Sequence, residues 1–195
     1  MPTGPFYTGA MLKLYSPERA EKIIEEDSSW IREVAERYHI PPAVIKAVLY
    51  NELIRIDILD PGVDLAVRLK ALSRKDSSTG HMQIFGAVGV KAINFACDRG
   101  LASYESLGFD PSRRLDPKNP EDVRTVWMKL HTDPKANIEI AALNLLSCAE
   151  EMTGRIDFSG YSDEEMKHVF SRYNANVKHI TPYGEEAFSN YQRYS

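Results

Sequence analysis

Apolar residues recur at three- and four-residue spacing along most of this chain, and turn-forming residues fall between the periodic stretches. The pattern predicts a mainly α fold, because no convincing run of alternating apolar and polar residues indicates strands. Ser16-Pro17 predicts the cap and first turn of a helix that runs towards Glu26. Ser28 or Ser29 is predicted to cap a second helix, which Pro41-Pro42 ends.

The stretch PAVIKAVLYNELIRID, which begins at Pro42, is the most informative of the predicted helices. Its apolar stripe consists of Ile45, Val48, Leu49, Leu53 and Ile56. Glu52 falls on this stripe, where an ionised carboxylate would be costly to desolvate and its pKa would rise. Two interpretations stay open: a proton donor that works near neutral pH, or a marginal glutamate that pairs with arginine or reaches solvent.

The rest of the chain is predicted to complete one domain over residues 1–195, with 1–27 as an N-terminal extension helix. Residues 98–134 are rich in proline, glycine and charge, which predicts a surface insertion. A core-facing helix is expected to begin at Asp133-Pro134. Ser162 and Glu165 have the spacing of a capping box, and the tail from residue 181 could hold one short final helix.

Charge and composition exclude several classes of function. The formal net charge is −4, from 24 basic and 28 acidic residues, which argues against a nucleic-acid binder. No apolar run is long enough to cross a bilayer, and no secretory signal is visible. The five histidines lack the spacing of metal ligands, and no glycine loop suits a phosphate, so neither a metal nor a cofactor is expected. Cys97 and Cys148 favour a pair of buried thiols, with a single disulfide left open.

Four short motifs occur in an order that resembles the soluble lytic transglycosylases and goose-type lysozymes of the lysozyme-like superfamily. They are Tyr50-Asn51-Glu52, Gly80-His81-Met82-Gln83-Ile84, Asn137-Ile138 with Ala141, Ala142 and Leu145, and Tyr173-Asn174-Ala175-Asn176. The resemblance covers roughly residues 40–191. It departs from the family at Leu53, where serine is usual, at His81, where leucine is usual, and at Asn176, where glycine is usual.

This resemblance implies a helical domain with a substrate cleft that binds peptidoglycan glycan strands. Glu52 would be the general acid that protonates the bond between N-acetylmuramic acid and N-acetylglucosamine. In the transglycosylases the same residue then acts as base on the substrate's own 6-hydroxyl, whereas in lysozymes a water attacks. Tyr173 would hydrogen-bond near the glutamate, and Gln83 would line the cleft or tether its loop. The further expected cleft residues are His81, Met82, Phe85 and Asn174.

Asp76, in the loop SRKDSSTG, is a second candidate carboxylate. In some goose-type enzymes an aspartate of this loop positions a water, and the alternative is an aspartate that caps its own turn. The resemblance implies action at the cell wall, with the export route and any inhibitor or secretion partner left open. Two other functions also stay open: a hydrolase of chitin-like polymers, and a catalytically degenerate glycan-binding or assembly module.

Overall fold

The computed structural model describes residues 13–56 and 76–195. Over these residues the fold is mainly α, as predicted, and a two-stranded antiparallel hairpin pairs Ser78 with Phe85 and Thr79 with Ile84. The helices are α1 (Pro17–Glu26), α2 (Ser28–Tyr38), α3 (Pro42–Leu53), α4 (Gly86–Asp98), α5 (Pro120–Thr132), α6 (Pro134–Thr153), α7 (Asp163–Asn174) and α8 (Pro182–Tyr194). The strands are β1 (Ser78–Thr79) and β2 (Ile84–Phe85).

Several helix starts follow from their capping residues. Ser16 accepts a hydrogen bond from the amide of Arg19, and Ser162 and Glu165 form the predicted capping box. The predicted cap at Ser28 or Ser29 is wrong, because α2 begins at Ser28 and Asp27 occupies the N-cap position. None of the helices within 13–56 and 76–195 is both long and apolar enough to span a membrane.

Helix α3 lies in the centre of the fold and is buried on nearly every side. Apart from Lys46, every residue from Ala43 to Leu53 is buried, so the predicted apolar stripe is only part of its buried surface. The helix ends at Leu53, four residues before the end of the predicted stretch. It packs against α1, α2 and α8. A helix that is apolar nearly all round can bury its side chains only when other elements surround it.

Residues 120–134 were predicted to lie at the surface as part of the insertion, but most of them form a helix that packs on the core. Helix α5 spans most of this stretch and buries Val123, Val126, Trp127 and Leu130 against the core. Trp127 also donates a hydrogen bond from Nε1 to the Ser77 carbonyl at 3.1 Å. The charged and proline-rich composition concealed an amphipathic pattern, in which Val123, Val126, Trp127 and Leu130 recur at helical spacing. That residues 98–134 are an insertion stays a prediction.

The two cysteines are both free thiols. Cys148 is buried in α6, where burial raises its pKa to about 12, and Cys97 is half-buried in α4. The expectation of two buried thiols therefore holds fully for Cys148 and in part for Cys97.

Candidate active site

A cavity of about 440 Å³ lies beside the C-terminal end of α3, with Glu52 in its wall. The hairpin forms one side with Ser78, Gln83, Ile84 and Phe85, and α4 adds Val88 and Lys91. Helix α6 and the C-terminal end of α7 with the residues after it form the other side. They contribute Asn144, Ser147, Cys148, Glu151, Arg172, Tyr173, Asn174, Ala175 and Asn176.

Glu52 is a buried acid in this wall, with 8% of its surface exposed. Burial raises its pKa from 4.5 to about 7, because the apolar surroundings disfavour the charged form. A hydrogen bond from Tyr183 and the positive charge of Arg55 both oppose this rise without cancelling it. Glu52 is therefore a carboxyl group that holds a proton near neutral pH and faces a cavity. This is the state that the sequence predicted for a proton donor.

Tyr183, in the first turn of α8, is the direct partner of Glu52. Its hydroxyl donates to Glu52 Oε1 over 2.5 Å. Burial and the nearby Glu52 raise the pKa of Tyr183 well above its usual value, so the phenol stays protonated and can donate. The Arg55 guanidinium lies 5.0 Å from the centre of the Tyr183 ring and pairs with Glu186 at 2.5 Å. These contacts fix the ring that orients the acid.

Sequence reasoning assigned this position to Tyr173 instead. The Tyr173 hydroxyl donates to the Met82 carbonyl at 2.8 Å, so it anchors the hairpin loop while its side chain lines the cavity. Tyr183 carried no local signal, because it lies 131 positions from Glu52 in the sequence. Only the proline and glycine around it, in TPYGEE, marked the start of a helix.

Replacing Tyr183 by phenylalanine should raise the pKa of Glu52 further, because the lost hydrogen bond is one that lowers it. If the chain has the cell-wall lysis that the family resemblance implies, the pH above which lysis declines should move upward in the variant, and the rate should fall about tenfold as the Glu52 carboxyl loses its fixed orientation. A pH–rate profile on purified cell walls measures both effects. Tyr191→Phe, on the same helix, is the control and should leave the profile in place. An unshifted profile in Tyr183→Phe would contradict the assigned role.

The loop from Gly80 to Gln83 is fixed on both sides by buried polar contacts. Asn137 accepts from the Met82 amide at 2.9 Å and donates to the Thr79 carbonyl at 3.1 Å. Gly80 has φ +70°, and a Cβ there would overlap the Asn137 side chain. The loop and α6 therefore approach each other closely only because residue 80 is glycine.

Gln83 lies in the cavity wall but uses its amide mainly within its own loop. Its Oε1 accepts from the Ser78 hydroxyl and its Nε2 donates to the Gly80 carbonyl, both at 2.9 Å. The residue has φ +45°, a left-handed conformation that these two bonds help to hold. Of the two predicted roles, the loop tether is the one that these contacts support. The second lone pair of Oε1 and the second N–H of Nε2 are not used by these two bonds and can bind a ligand.

The other predicted cleft residues divide into two groups. Phe85, with 42% of its surface exposed, and Asn174 both line the cavity. Met82 and His81, which were also predicted as cleft residues, do not line it. The Met82 side chain is fully buried in the core, and His81 Nδ1 lies 3.3 Å from Asp27 Oδ2, between the hairpin loop and the junction of α1 and α2.

Asp76 is not among the residues that line this cavity, and its carboxylate has another function. Its two oxygens accept from the amides of Gly86 at 2.8 Å and Ala87 at 3.0 Å, at the N-terminus of α4. Burial raises the pKa of Asp76, and these amides act in the opposite direction. The Asp76 carboxylate thus caps α4, and it also accepts a hydrogen bond from the backbone of Ser77, as the alternative of a turn cap proposed.

Asp76→Ala should therefore reduce stability rather than chemistry. Loss of a capping carboxylate costs about 1 kcal/mol of unfolding free energy. For the cell-wall lysis that the family resemblance implies, the folded variant should keep its rate within about tenfold, a change below the usual contribution of a catalytic acid or base. Urea unfolding and turbidity assays at matched folded concentration measure the two effects. A loss of lysis of several hundredfold with unchanged stability would restore the catalytic role.

Glu151, Arg172 and Lys91 also line the cavity, and sequence reasoning singled out none of them. Glu151 and Arg172 form an ion pair at 2.8 Å between α6 and α7. Two charged residues twenty-one positions apart give no pattern that a sequence could reveal. Among the described residues, no cluster of histidine, cysteine or acidic side chains could hold a metal ion.

Comparison of the chain with models of known protein families, with curated proteins and with solved structures gives no match.

Proposed function

We propose that this protein is a peptidoglycan-cleaving glycosidase of the lysozyme-like type, with Glu52 as its general acid. One observation carries the proposal: a carboxyl group with a pKa of about 7 stands at the wall of a cavity and is held by a tyrosine hydroxyl. A group of this pKa can protonate a glycosidic oxygen near neutral pH. The raised glutamate pKa of lysozyme is the known precedent for such tuning.

The reaction begins when the Glu52 carboxyl transfers its proton to the oxygen between N-acetylmuramic acid and N-acetylglucosamine. The glycosidic bond breaks, and positive charge develops on the muramic acid ring. Glu52, now ionised, then takes the proton of the muramic acid's own 6-hydroxyl as that oxygen bonds to the anomeric carbon. The product carries a 1,6-anhydro ring, and Glu52 regains its proton.

The distribution of carboxylates favours this intramolecular route over hydrolysis. Hydrolytic glycosidases use a second carboxylate as nucleophile or base. Among the described residues of the cavity wall, the only other carboxylate is that of Glu151, and Arg172 holds it in an ion pair. Asp76, the other candidate, is occupied as a helix cap. A nucleophile supplied by the substrate removes the need for either residue.

Two other functions are alternatives to this proposal. A hydrolase of chitin-like polymers would use the same acid on a neutral glycan. A degenerate binding module is motivated by Leu53, His81 and Asn176, the departures from the family motifs. The raised pKa of Glu52 argues for the enzyme, because a protein that only binds glycan needs no buried acid in its cavity.

Mass spectrometry of the fragments released from purified peptidoglycan tests the proposal. Fragments with anhydro-muramic ends would support the intramolecular route, and reducing muramic ends would indicate hydrolysis by the same acid. Release of sugar from chitin oligomers but not from peptidoglycan would favour the chitin hydrolase. No release from either polymer by folded protein would overturn the proposal. The proposed site of action is the cell wall, outside the cytoplasm.

A further inference from the structure

The hairpin loop and the junction of α1 and α2 meet through the side chains of His81 and Asp27. His81 Nδ1 lies 3.3 Å from Asp27 Oδ2, although 54 positions separate the two residues in the sequence. Two other bonds hold the backbone of the loop at Met82, whose amide donates to Asn137 and whose carbonyl accepts from Tyr173. Those bonds lead to α6 and α7. The contact between His81 and Asp27 therefore attaches the loop separately to the N-terminal helices.

Asp27 is a buried carboxylate that occupies the position of a helix cap without acting as one. It lies at the N-cap of α2, yet its side chain makes no capping hydrogen bond there. Only 6% of the surface of the residue is exposed. A carboxylate removed from water is costly unless a donor or a positive charge compensates it. Among the described residues, the side chain that supplies such a donor is that of His81.

His81 is in contact with solvent as well as with Asp27. Its side chain is 31% exposed, so the ring can exchange protons with water. Two titratable side chains face the ring: Asp27, from the α1–α2 junction, and Tyr15, from the segment before α1, whose ring lies edge-on at 6.5 Å between centroids. In the family that the chain resembles, leucine is usual at this position, and leucine could neither donate to Asp27 nor change its charge.

The strength of this contact depends on the protonation of the imidazole. A protonated imidazole donates from Nδ1 and carries a positive charge, which makes its bond to a carboxylate charge-assisted. A neutral imidazole lacks the charge, and the tautomer with its hydrogen on Nε2 cannot donate from Nδ1. Histidines change charge between about pH 5 and 8. The contact with Asp27 should therefore be strongest at the acidic end of this range and weaken as pH rises.

We propose that His81 and Asp27 form a pH-sensitive tether, which holds the hairpin loop to the α1–α2 junction more firmly when His81 is protonated. The loop includes Gln83, which lines the cavity at Glu52, so the tether acts on a wall of that cavity. Glu52, with a pKa of about 7, also gains its proton as pH falls. The wall is thus held most firmly under the conditions in which the acid is protonated. The tether itself does not depend on the proposed function.

Amide hydrogen exchange at pH 5.5 and pH 8, followed by NMR, tests the tether without any ligand. The measured quantity is the protection factor of the Met82 and Gln83 amides, which corrects for the intrinsic effect of pH on exchange. His81→Gln keeps a neutral donor but removes the charge, and Asp27→Asn removes the charge of the partner. His179→Gln is the matched control, because it changes an exposed histidine that does not line the cavity.

At pH 5.5 the two amides should be about fivefold better protected in the wild type than in His81→Gln, the upper range of a partly exposed ion pair. At pH 8 this ratio should fall below about twofold. Comparison at the same pH cancels the titration of Glu52. Asp27→Asn and the double variant should match His81→Gln, because each change breaks the same pair. A ratio independent of pH, losses that add in the double variant, or an equal loss in His179→Gln would overturn the inference.

Discussion

Glu52→Gln should lower the rate of cell-wall lysis about 10³-fold, within the range expected when a general acid is removed. Glutamine has nearly the same shape as the protonated acid, and its amide oxygen can still accept the hydrogen bond that Tyr183 donates to Oε1. The variant should therefore fold and bind glycan normally. Turbidity loss of purified walls measures the rate, and circular dichroism with fragment binding verifies the fold and the site.

Two further glutamates make this test specific. Glu164→Gln changes an exposed residue that lies outside the cavity and should lyse walls at the wild-type rate. Glu151→Gln removes the other cavity carboxylate and its pair with Arg172, and should cost less than about tenfold. Lysis retained in Glu52→Gln would rule out Glu52 as the acid. A loss of about 10³-fold in Glu151→Gln as well would point to a two-carboxylate mechanism.

Glu52→Gln should also change how stability depends on pH, by about 3 kcal/mol. The pKa of Glu52 is about 7 in the folded protein against an ordinary value of 4.5. The folded chain thus binds this proton more tightly than the unfolded chain. The wild type is most stable relative to the variant below pH 4.5, where both states are protonated. It loses that advantage as pH rises to about 7, above which the difference is constant.

Urea unfolding of both proteins between pH 4 and 8 measures this difference. Subtracting the two curves cancels the titration of every other group that the substitution leaves unchanged. As pH rises from 4 to 8, the free energy of unfolding of the variant should increase by about 3 kcal/mol relative to that of the wild type. Parallel curves would mean that Glu52 titrates normally in the folded protein, which would remove the physical basis of its role as acid.

The sequence predicted the burial and the raised pKa of the Glu52 carboxyl because their signal is local. Glu52 interrupts an apolar helix, and burial of that helix alone is enough to raise its pKa. The mainly α class followed from periodicity in the same way. The α5 segment was misassigned because proline and charge at 110–125 obscured the spacing of Val123, Val126 and Trp127.

The partners of the acid could not be predicted, because tertiary packing decides them. Tyr183 reaches Glu52 only because α8 packs against α3, whereas the sequence motif had pointed to Tyr173. For a related reason the sequence left both a catalytic role and a capping role open for Asp76. The contact that favours the cap depends on the N-terminus of α4 lying within hydrogen-bond distance of the carboxylate, which no local pattern predicts.

The hairpin loop at Gly80–Gln83 has a thermodynamic consequence for recognition. Asn137 and Tyr173 bind its backbone, and Ser78 and the Gly80 carbonyl hold the Gln83 amide. This wall of the cavity is therefore preorganised, and a ligand that binds against it causes little loss of conformational entropy in the protein there. Differences in affinity between ligands at this wall should then arise from how well each one fits a rigid surface.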